Sequence, residues 1–255
     1  MFQCLLTPAA GKRLIAKAML SHPFIQKGLE YGRVVIIAGT TNSYIAEEIL
    51  RATGQDSDFS RERFFRGITL PPGKETTEEG RLHDESEFLG DVIINKGEWE
   101  KGKSVYDIID DLNSGDVIIK GANAFNPCTK KAGILIGHPK GGTIAAVMGS
   151  VTGKRIPLLI PVGLEKRVYK DIDSIAEDLN HPDASGPRLF PVPGEVISEI
   201  EAVKLLTGAD ASLTAGGGVC GAEGAVWLCL TGDKCCLETA ENVICQTSGE
   251  EPFSM

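Results

Sequence analysis

Residues 33–50, RVVIIAGTTNSYIAEEIL, carry the clearest indication of the fold of this chain. The first half of this stretch is a continuous apolar, β-branched run, which is typical of a strand buried on both faces of a parallel sheet. Its second half places Ile45, Ile49 and Leu50 at helical spacing. Gly39 between the two halves permits a tight turn, so this stretch predicts a strand, a turn and a helix.

The turn of this unit is a candidate anion site. Free N–H groups at the start of a helix attract anions, and ligands enter parallel sheets at the carboxyl ends of central strands. The residues predicted to bind the anion are Gly39, Thr40, Thr41, Asn42 and Ser43. Alternatively, Thr41 or Asn42 only caps the helix, although capping and binding are compatible.

Strand-like and helix-like segments alternate along residues 1–182, which predicts a doubly wound, mostly parallel sheet. The further predicted strands are DVIIN (91–95), DVIIKGANAF (116–125), AGILIG (132–137) and IPLLIPV (156–162). The predicted helices cover residues 7–20, 22–32, 41–54, 104–112, 141–153 and 171–180. In the polar region between residues 55 and 89, FFRGITLPPG (64–73) is interpreted as a strand and GKETTEEGRLHDESE (73–87) as a solvated acidic loop.

The pattern changes after the proline-rich segment at residues 181–194. Two predicted helices then enclose two strand-like runs, and RLFPVP (188–193) is interpreted as an edge strand beside them. The helices are EVISEIEAVKLLTG (195–208) and KCCLETAENVIC (234–245), and the strands are ASLTAGGGV (211–219) and AVWLCLTG (225–232). This order predicts a small ferredoxin-like α+β domain at residues 183–255.

Composition argues against several classes of partner. The chain has 255 residues and a net charge of −9, with no basic run, which disfavours nucleic acid as a partner. No run approaches the ~20 apolar residues of a membrane span, and the N-terminal charges lie inside the apolar region, unlike those of a signal peptide. We therefore expect a cytoplasmic protein.

The seven cysteines form no C-x-x-C pair and are interpreted as small buried residues, so neither a metal site nor a cofactor is predicted.

GEWEKGKS, residues 97–104, fits the phosphate-loop pattern G-x-x-x-x-G-K-[ST] and would imply a nucleotide triphosphatase. However, Glu98 and Glu100 would lie inside the phosphate cradle, where carboxylates oppose binding. No apolar strand ends directly in an aspartate that could hold magnesium. A charged surface turn is therefore the favoured interpretation, and the triphosphatase is kept as the less favoured alternative.

Three segments together resemble the superfamily of ribose-5-phosphate isomerase, glucosamine-6-phosphate deaminase and the CoA transferases. Gly39-Thr40-Thr41-Asn42-Ser43 is similar to its G-T-G-S-T phosphate loop, and Lys120-Gly121-Ala122-Asn123-Ala124 stands where the isomerases carry D-G-A-D-E. His138-Pro139-Lys140-Gly141-Gly142-Thr143 is similar to the following lysine-glycine turn. The resemblance implies a Rossmann-type fold with a ferredoxin-like small domain, and often a homodimer. The architecture is also similar to that of lactate-utilisation and initiation-factor-2B-like proteins, so it does not select a reaction.

The departures from this family concern its acids. Lys120, Asn123 and Ala124 replace the acidic residues, and no carboxylate follows the lysine-glycine turn to act as a general base. We therefore expect Lys120, Asn123 and Lys140 to polarise a substrate as catalytic residues. The remaining ligand-binding residues are predicted to be Gly121, His138, Gly141, Gly142 and Thr143. Lys166 and Arg167, on the next strand turn, could add positive charge.

Two hypotheses of function remain open at this point. The chain is either an isomerase-like enzyme acting on a phosphorylated or carboxylated small metabolite, or a non-catalytic binding or regulatory protein that shares the fold. In both cases the expected partner is a small anionic metabolite, and a homodimer is expected.

Overall fold

The computed structural model describes residues 1–66, 69, 73 and 90–253. Half of FFRGITLPPG (64–73) and all but Gly73 of the predicted acidic loop (73–87) lie outside these residues. Within them, the elements in chain order are β1 (Phe2–Leu6), α1 (Pro8–Leu20), α2 (Pro23–Tyr31), β2 (Arg33–Ile36), α3 (Thr40–Ala52), β3 (Val92–Asn95), β4 (Glu98–Trp99), α4 (Val105–Ile108), β5 (Val117–Ile119), β6 (Ala124–Asn126), β7 (Lys131–Ile136), α5 (Gly142–Lys154), β8 (Leu158–Pro161), α6 (Ile172–Leu179), β9 (Arg188–Val192), β10 (Glu195–Ile197), α7 (Glu199–Thr207), β11 (Asp210–Gly216), β12 (Val226–Thr231) and α8 (Lys234–Thr247).

The chain is a mixed α/β protein built on a six-stranded sheet of order β10-β8-β5-β2-β3-β4. The strands β10, β8, β5 and β2 run parallel, and Val34, Val35 and Ile36 of β2 are fully buried, as the apolar run predicts. DVIIN forms β3 as predicted, but it pairs antiparallel with β2 and turns directly back into β4. The sheet is therefore mixed, with its parallel strands on one side.

Three further predicted strands differ from the expectation, and the first, DVIIKGANAF (116–125), is divided into β5 of the main sheet and β6 of another sheet. AGILIG belongs to β7, which lies outside the main sheet in an antiparallel sheet of order β6-β7-β9. RLFPVP forms β9 and pairs with β7, although we expected it beside the C-terminal strands. The sequence of a six-residue apolar run does not indicate which strand it pairs with, so AGILIG is compatible with either sheet.

The C-terminal strands form a third sheet, of order β1-β12-β11, against which α7 packs, while α8 packs against α7 and α1. The N-terminal strand β1, which was not predicted, pairs antiparallel with β12. The segment EVI, expected as the start of a helix, forms β10 and extends the main sheet beside β8. Strands on the two sides of residue 182 therefore share sheets, and the division into domains 1–182 and 183–255 stays a prediction.

Helix α1 lies at the centre of the packing, in contact with α3 and α7. It begins as predicted, with Pro8 in its first turn and the Thr7 hydroxyl accepting from the Ala10 amide at 3.2 Å. Arg13 on this helix is buried and pairs with Glu48 at 2.9 Å, with Glu250 at 2.8 Å and with Glu47. These pairs join α1, α3 and the C-terminal segment around one guanidinium, and so hold α3 in a fixed position behind its first turn.

The surface differs from the sequence interpretation at the cysteines. Cys4 is buried as expected, whereas Cys128, Cys220, Cys235 and Cys245 are exposed, so the interpretation as buried residues is wrong for these four. In the described part of the chain, no helix combines the length and the apolar character needed to cross a membrane.

Candidate functional site

A cavity of about 880 Å³ opens beside the carboxyl ends of the parallel strands β2 and β5. Parallel strands all end at the same edge of a sheet, so the turns that follow them meet there. The described residues that line the cavity are Ala38–Asn42, Arg66, Thr69, Tyr106, Lys120–Asn123, Ile134–His138, Lys140–Ala146 and Lys166.

The first turn of α3 forms one wall of the cavity. The helix begins after Gly39 without a side-chain cap, so neither Thr41 nor Asn42 takes the capping role that the sequence left open. The Thr41 hydroxyl and the side-chain oxygen Oδ1 of Asn42 are buried and have no hydrogen-bond partner among the described residues. Buried polar atoms without a partner are costly, and the first amides of a helix have no partner within that helix. The Thr41 hydroxyl and the uncapped start of α3 therefore favour a ligand at this turn.

Asn42 also ties the turn to the sheet. Its side-chain Nδ2 donates to the Ile37 carbonyl at 2.6 Å and to the Ile119 carbonyl at 3.2 Å. The two carbonyls belong to the ends of neighbouring parallel strands. This side chain therefore fixes the start of α3 at the edge of the sheet.

Asp91, which sequence reasoning missed, holds the same turn from behind. Its carboxylate is fully buried, accepts from the amides of Ala38 at 2.9 Å and Val105 at 2.8 Å, and pairs with Arg66 at 3.2 Å. Both oxygens of the Asp91 carboxylate therefore have a structural partner. Asp91 therefore positions the turn, and no local sequence pattern marks it, because its partners are far apart in the chain.

The first turn of α5 forms the facing part of the wall and also lacks a side-chain cap. Gly141 has φ of 80°, and a Cβ there would lie 2.6 Å from the Ala145 Cβ, so this position requires glycine. The Lys140 amide donates to His138 Nδ1 at 3.1 Å. In the neutral ring this leaves the proton on Nε2, as a donor available to a ligand.

The charges of the lining are positive. Arg66, Lys120, Lys140 and Lys166 line the cavity, and no aspartate or glutamate occurs among its described lining residues. Burial and the neighbouring Arg66 lower the pKa of Lys120 to about 8. Burial also lowers the pKa of Lys166, whose Nζ donates to the Ala122 carbonyl at 3.0 Å. In a chain of net charge −9, this concentration of cations gives the cavity a local charge opposite to that of the chain, which favours an anion as its ligand.

The structure brings together twelve of the thirteen residues predicted for the site. These are Gly39, Thr40, Thr41, Asn42, Lys120, Gly121, Asn123, His138, Lys140, Gly141, Gly142 and Thr143. Ser43 does not line the cavity, because it is fully buried and its hydroxyl donates to the Thr40 carbonyl at 2.8 Å. Arg167 also lies outside the lining, where its Nη1 donates to the Leu164 carbonyl at 3.0 Å.

Asn123 has a structural partner as well as a place in the cavity. Its Oδ1 accepts from the Leu135 amide at 3.0 Å and so holds β7 next to the end of β5. Only its side-chain nitrogen is left to donate to a ligand. A role in polarising a substrate would therefore have to come from that N–H group.

The lining residues that were not predicted include Arg66 and Tyr106. Arg66 stands in FFRGITLPPG, interpreted only as a strand within a polar region, and Tyr106 stands in a segment predicted as a continuous helix. That segment forms only the short helix α4. Neither residue carries a local signal that could have placed it at the cavity.

The stretch GEWEKGKS lies away from this cavity in a β-hairpin. Glu98 and Trp99 form β4, and the Trp99 amide donates to the Gln55 side chain at 2.8 Å. The Glu100 amide donates to the Ile93 carbonyl at 2.8 Å, and Lys103 pairs with Glu100 at 2.8 Å. This hairpin differs from the strand–loop–helix context in which such a motif holds phosphate.

In comparisons with known proteins, no family model, no curated protein and no solved structure matches the chain. Within its described residues no group of three or more histidine, cysteine, aspartate or glutamate side chains is placed to hold a metal ion. What the cavity binds is therefore inferred from its geometry and charge.

Proposed function

We propose that this protein binds a small phosphorylated metabolite in the cavity between the first turns of α3 and α5. The observation that carries this proposal is the convergence of two uncapped helix starts and four cationic side chains on one cavity whose described lining contains no carboxylate. Helix starts and cations both favour negative charge.

Phosphate is favoured over carboxylate by the number of donors. A phosphate group offers more acceptor oxygens and more negative charge than a carboxylate, and here it would meet the amides of the α3 turn and the Thr41 hydroxyl. A cavity of about 880 Å³ is within the range of small-molecule sites, with room for more than the phosphate group. A carboxylated metabolite is the second candidate because the same donors would hold it less strongly.

The absence of a carboxylate from the described lining weighs on the reaction. The resemblance to the isomerases implies proton abstraction next to a carbonyl by a carboxylate, and the described lining residues include no carboxylate to act as that general base. An enzyme at this site would rely on Lys120, Asn123 and Lys140, and a non-catalytic binding protein of the same fold is the alternative. The parallel order of β8, β5 and β2 supports a doubly wound, Rossmann-type arrangement as part of this proposal. A homodimer and a cytoplasmic location are further parts of it.

The test is titration calorimetry with inorganic phosphate, ribose 5-phosphate and ribose on the wild type and on two variants. Thr41→Val removes the unpaired hydroxyl at nearly constant volume, and Lys27→Gln removes an exposed charge on α2 as a control. We expect the two phosphate compounds to bind and ribose to fail. A hydrogen bond to a charged group is worth about 1.5–3 kcal/mol, so Thr41→Val should weaken binding about 10- to 150-fold, whereas Lys27→Gln should not.

Two results would overturn the proposal. One is that neither phosphate compound binds, and the other is that Thr41→Val binds them as well as Lys27→Gln does. Binding of ATP with magnesium that survives Thr41→Val but is lost in Lys103→Ala would instead restore the nucleotide triphosphatase.

A further inference from the structure

The binding proposal counts Lys120 as one of four cations of the cavity and gives its amine no chemical role. The Lys120 amide donates to the Leu159 carbonyl at 3.0 Å, which fixes the residue at the carboxyl end of β5. Its side chain faces the cavity, and no described residue makes a hydrogen bond or an ion pair with Nζ. Lys166, by contrast, is tied to the Ala122 carbonyl at 3.0 Å.

The surroundings of Lys120 favour its neutral form. Burial lowers its pKa most, and the neighbouring Arg66 and Lys166 add to the effect, while Asp91 opposes it. Asp91 opposes it only in part because that carboxylate already pairs with Arg66 at 3.2 Å and accepts two backbone amides. With a pKa of about 8 in place of the ordinary 10.5, about a quarter of the amines are neutral near pH 7.5, against roughly one in a thousand for an ordinary lysine.

A lysine used only to hold an anion would gain from full charge. Desolvation next to other cations has the opposite result, because it weakens the attraction for the anion and supplies a nucleophilic amine. The first turn of α3, with its unpaired Thr41 hydroxyl, already offers donors for the phosphate. The first turn of α3 can therefore hold the anion, while the amine of Lys120 is left to react.

We propose that Lys120 forms a Schiff base with an aldehyde or ketone whose phosphate is held by the first turn of α3. This inference rests on the proposed function and names its substrate class as phosphorylated carbonyl compounds. The Nζ lone pair forms a bond to the carbonyl carbon, and both hydrogens of the neutral amine leave with the carbonyl oxygen as water. The product is an imine, and the reaction needs no oxidant or reductant.

The experiment uses the full chain with glycolaldehyde phosphate as the probe and sodium cyanoborohydride as the trap. The hydride adds to the imine carbon and a proton to the nitrogen, which leaves a stable secondary amine on the lysine. Peptide mapping by mass spectrometry then measures the labelling rate of each lysine. We expect Lys120 to react at least about tenfold faster than the exposed Lys140 and Lys27, since the neutral fraction limits the rate.

Two comparisons connect the label to the cavity. Glycolaldehyde, which lacks the phosphate, should label Lys120 at least about fivefold more slowly, and inorganic phosphate should protect Lys120 from the phosphorylated probe by mass action. In Lys120→Arg the total labelling should fall to the level of the surface lysines. Calorimetry with inorganic phosphate on the same variant reports whether its cavity is intact.

The outcomes separate this inference from the binding proposal. If inorganic phosphate binds the wild type but the probe labels Lys120 no faster than Lys140, the Schiff base is wrong and the binding proposal stands. If Lys120 is labelled equally by glycolaldehyde with and without its phosphate, the substrate class is wrong. If phosphate neither binds nor protects, both proposals fail.

Discussion

Replacement of Lys120 by methionine should stabilise the ligand-free protein near neutral pH. The lysine is half-buried, and its pKa of about 8 lies below the ordinary 10.5 of an unfolded chain because burial disfavours its charged form. This difference, at 1.36 kcal/mol for each pKa unit, amounts to a cost of about 3 kcal/mol while the amine is protonated in both states. Methionine keeps an unbranched side chain without the charge, so the variant should recover most of that free energy.

The sign of the effect also fixes its dependence on pH. Between the folded pKa of about 8 and the unfolded value of 10.5, the unfolded chain binds more protons than the folded one. Stability of the wild type therefore rises with pH in this window, and the cost is present in full below it. The advantage of Lys120→Met should be largest near pH 7 and should shrink toward about pH 10.5, where the lysine is increasingly neutral in both states.

Urea unfolding followed by circular dichroism at about pH 7 and about pH 10 measures both quantities. Lys140→Met is the matched control, because Lys140 lines the same cavity but is exposed, and its change should stay within about 0.5 kcal/mol. The reasoning is refuted if Lys120→Met is no more stable than the wild type at about pH 7, or if its advantage is the same at both pH values.

Three further changes test the surrounding structure. Burial, and then the nearby Glu165, raise the pKa of Glu199 above that of the unfolded chain, so wild-type stability should fall as pH rises from about 5 to about 8. Glu199→Gln should flatten this pH dependence in thermal melts. An unchanged pH dependence would show that Glu199 is not the group whose pKa is raised. Gly90→Ala should lower the free energy of unfolding, measured in urea, by about 2–4 kcal/mol, because φ is +86° and the new Cβ would lie 2.4 Å from the Lys103 carbonyl oxygen. A decrease of less than about 0.5 kcal/mol would contradict the backbone geometry at this position. Asp91→Asn should cost about 2–4 kcal/mol, because asparagine keeps one acceptor oxygen for the two amides of Ala38 and Val105 that the carboxylate now accepts. Hydrogen exchange should speed up at one or both of these amides, and unchanged exchange at both would show that Asp91 does not hold the turn.

The parts of the fold that the sequence predicts are those set by local chemistry. The strand, turn and helix of residues 33–50 form as expected because β-branched residues, a glycine and a helical apolar pattern specify each element within a few residues. The helix at Pro8 begins where a threonine and a proline begin it. The turns that follow parallel strands meet at one edge of the sheet, so the fold class alone is enough to predict that the residues of these turns lie close together.

The parts that were missed depend on contacts far apart in the chain. β7 leaves the main sheet because it pairs with β9, more than fifty residues later, and β10 joins β8 from a segment expected to be helical. Asp91 becomes a positioning residue only because Ala38 and Val105 arrive beside it. Hydrophobic periodicity reports which face of an element is buried, but it does not report the partner, so these pairings cannot be obtained from it.

The charges of the cavity make more sense as a requirement of function than of folding. Two like charges about 8 Å apart repel by roughly 2 kcal/mol at an effective dielectric constant of about 20. The described lining brings four cations together and includes no carboxylate of its own. The fold compensates only part of this through the pair of Arg66 with Asp91 and the bond of Lys166 to Ala122. A chain under selection for stability alone would lose the uncompensated Lys120, because an apolar residue there costs nothing electrostatically. Its retention, with an unpaired hydroxyl and two uncapped helix starts facing the same space, is explained if an anion completes the site and the lysine acts on that ligand.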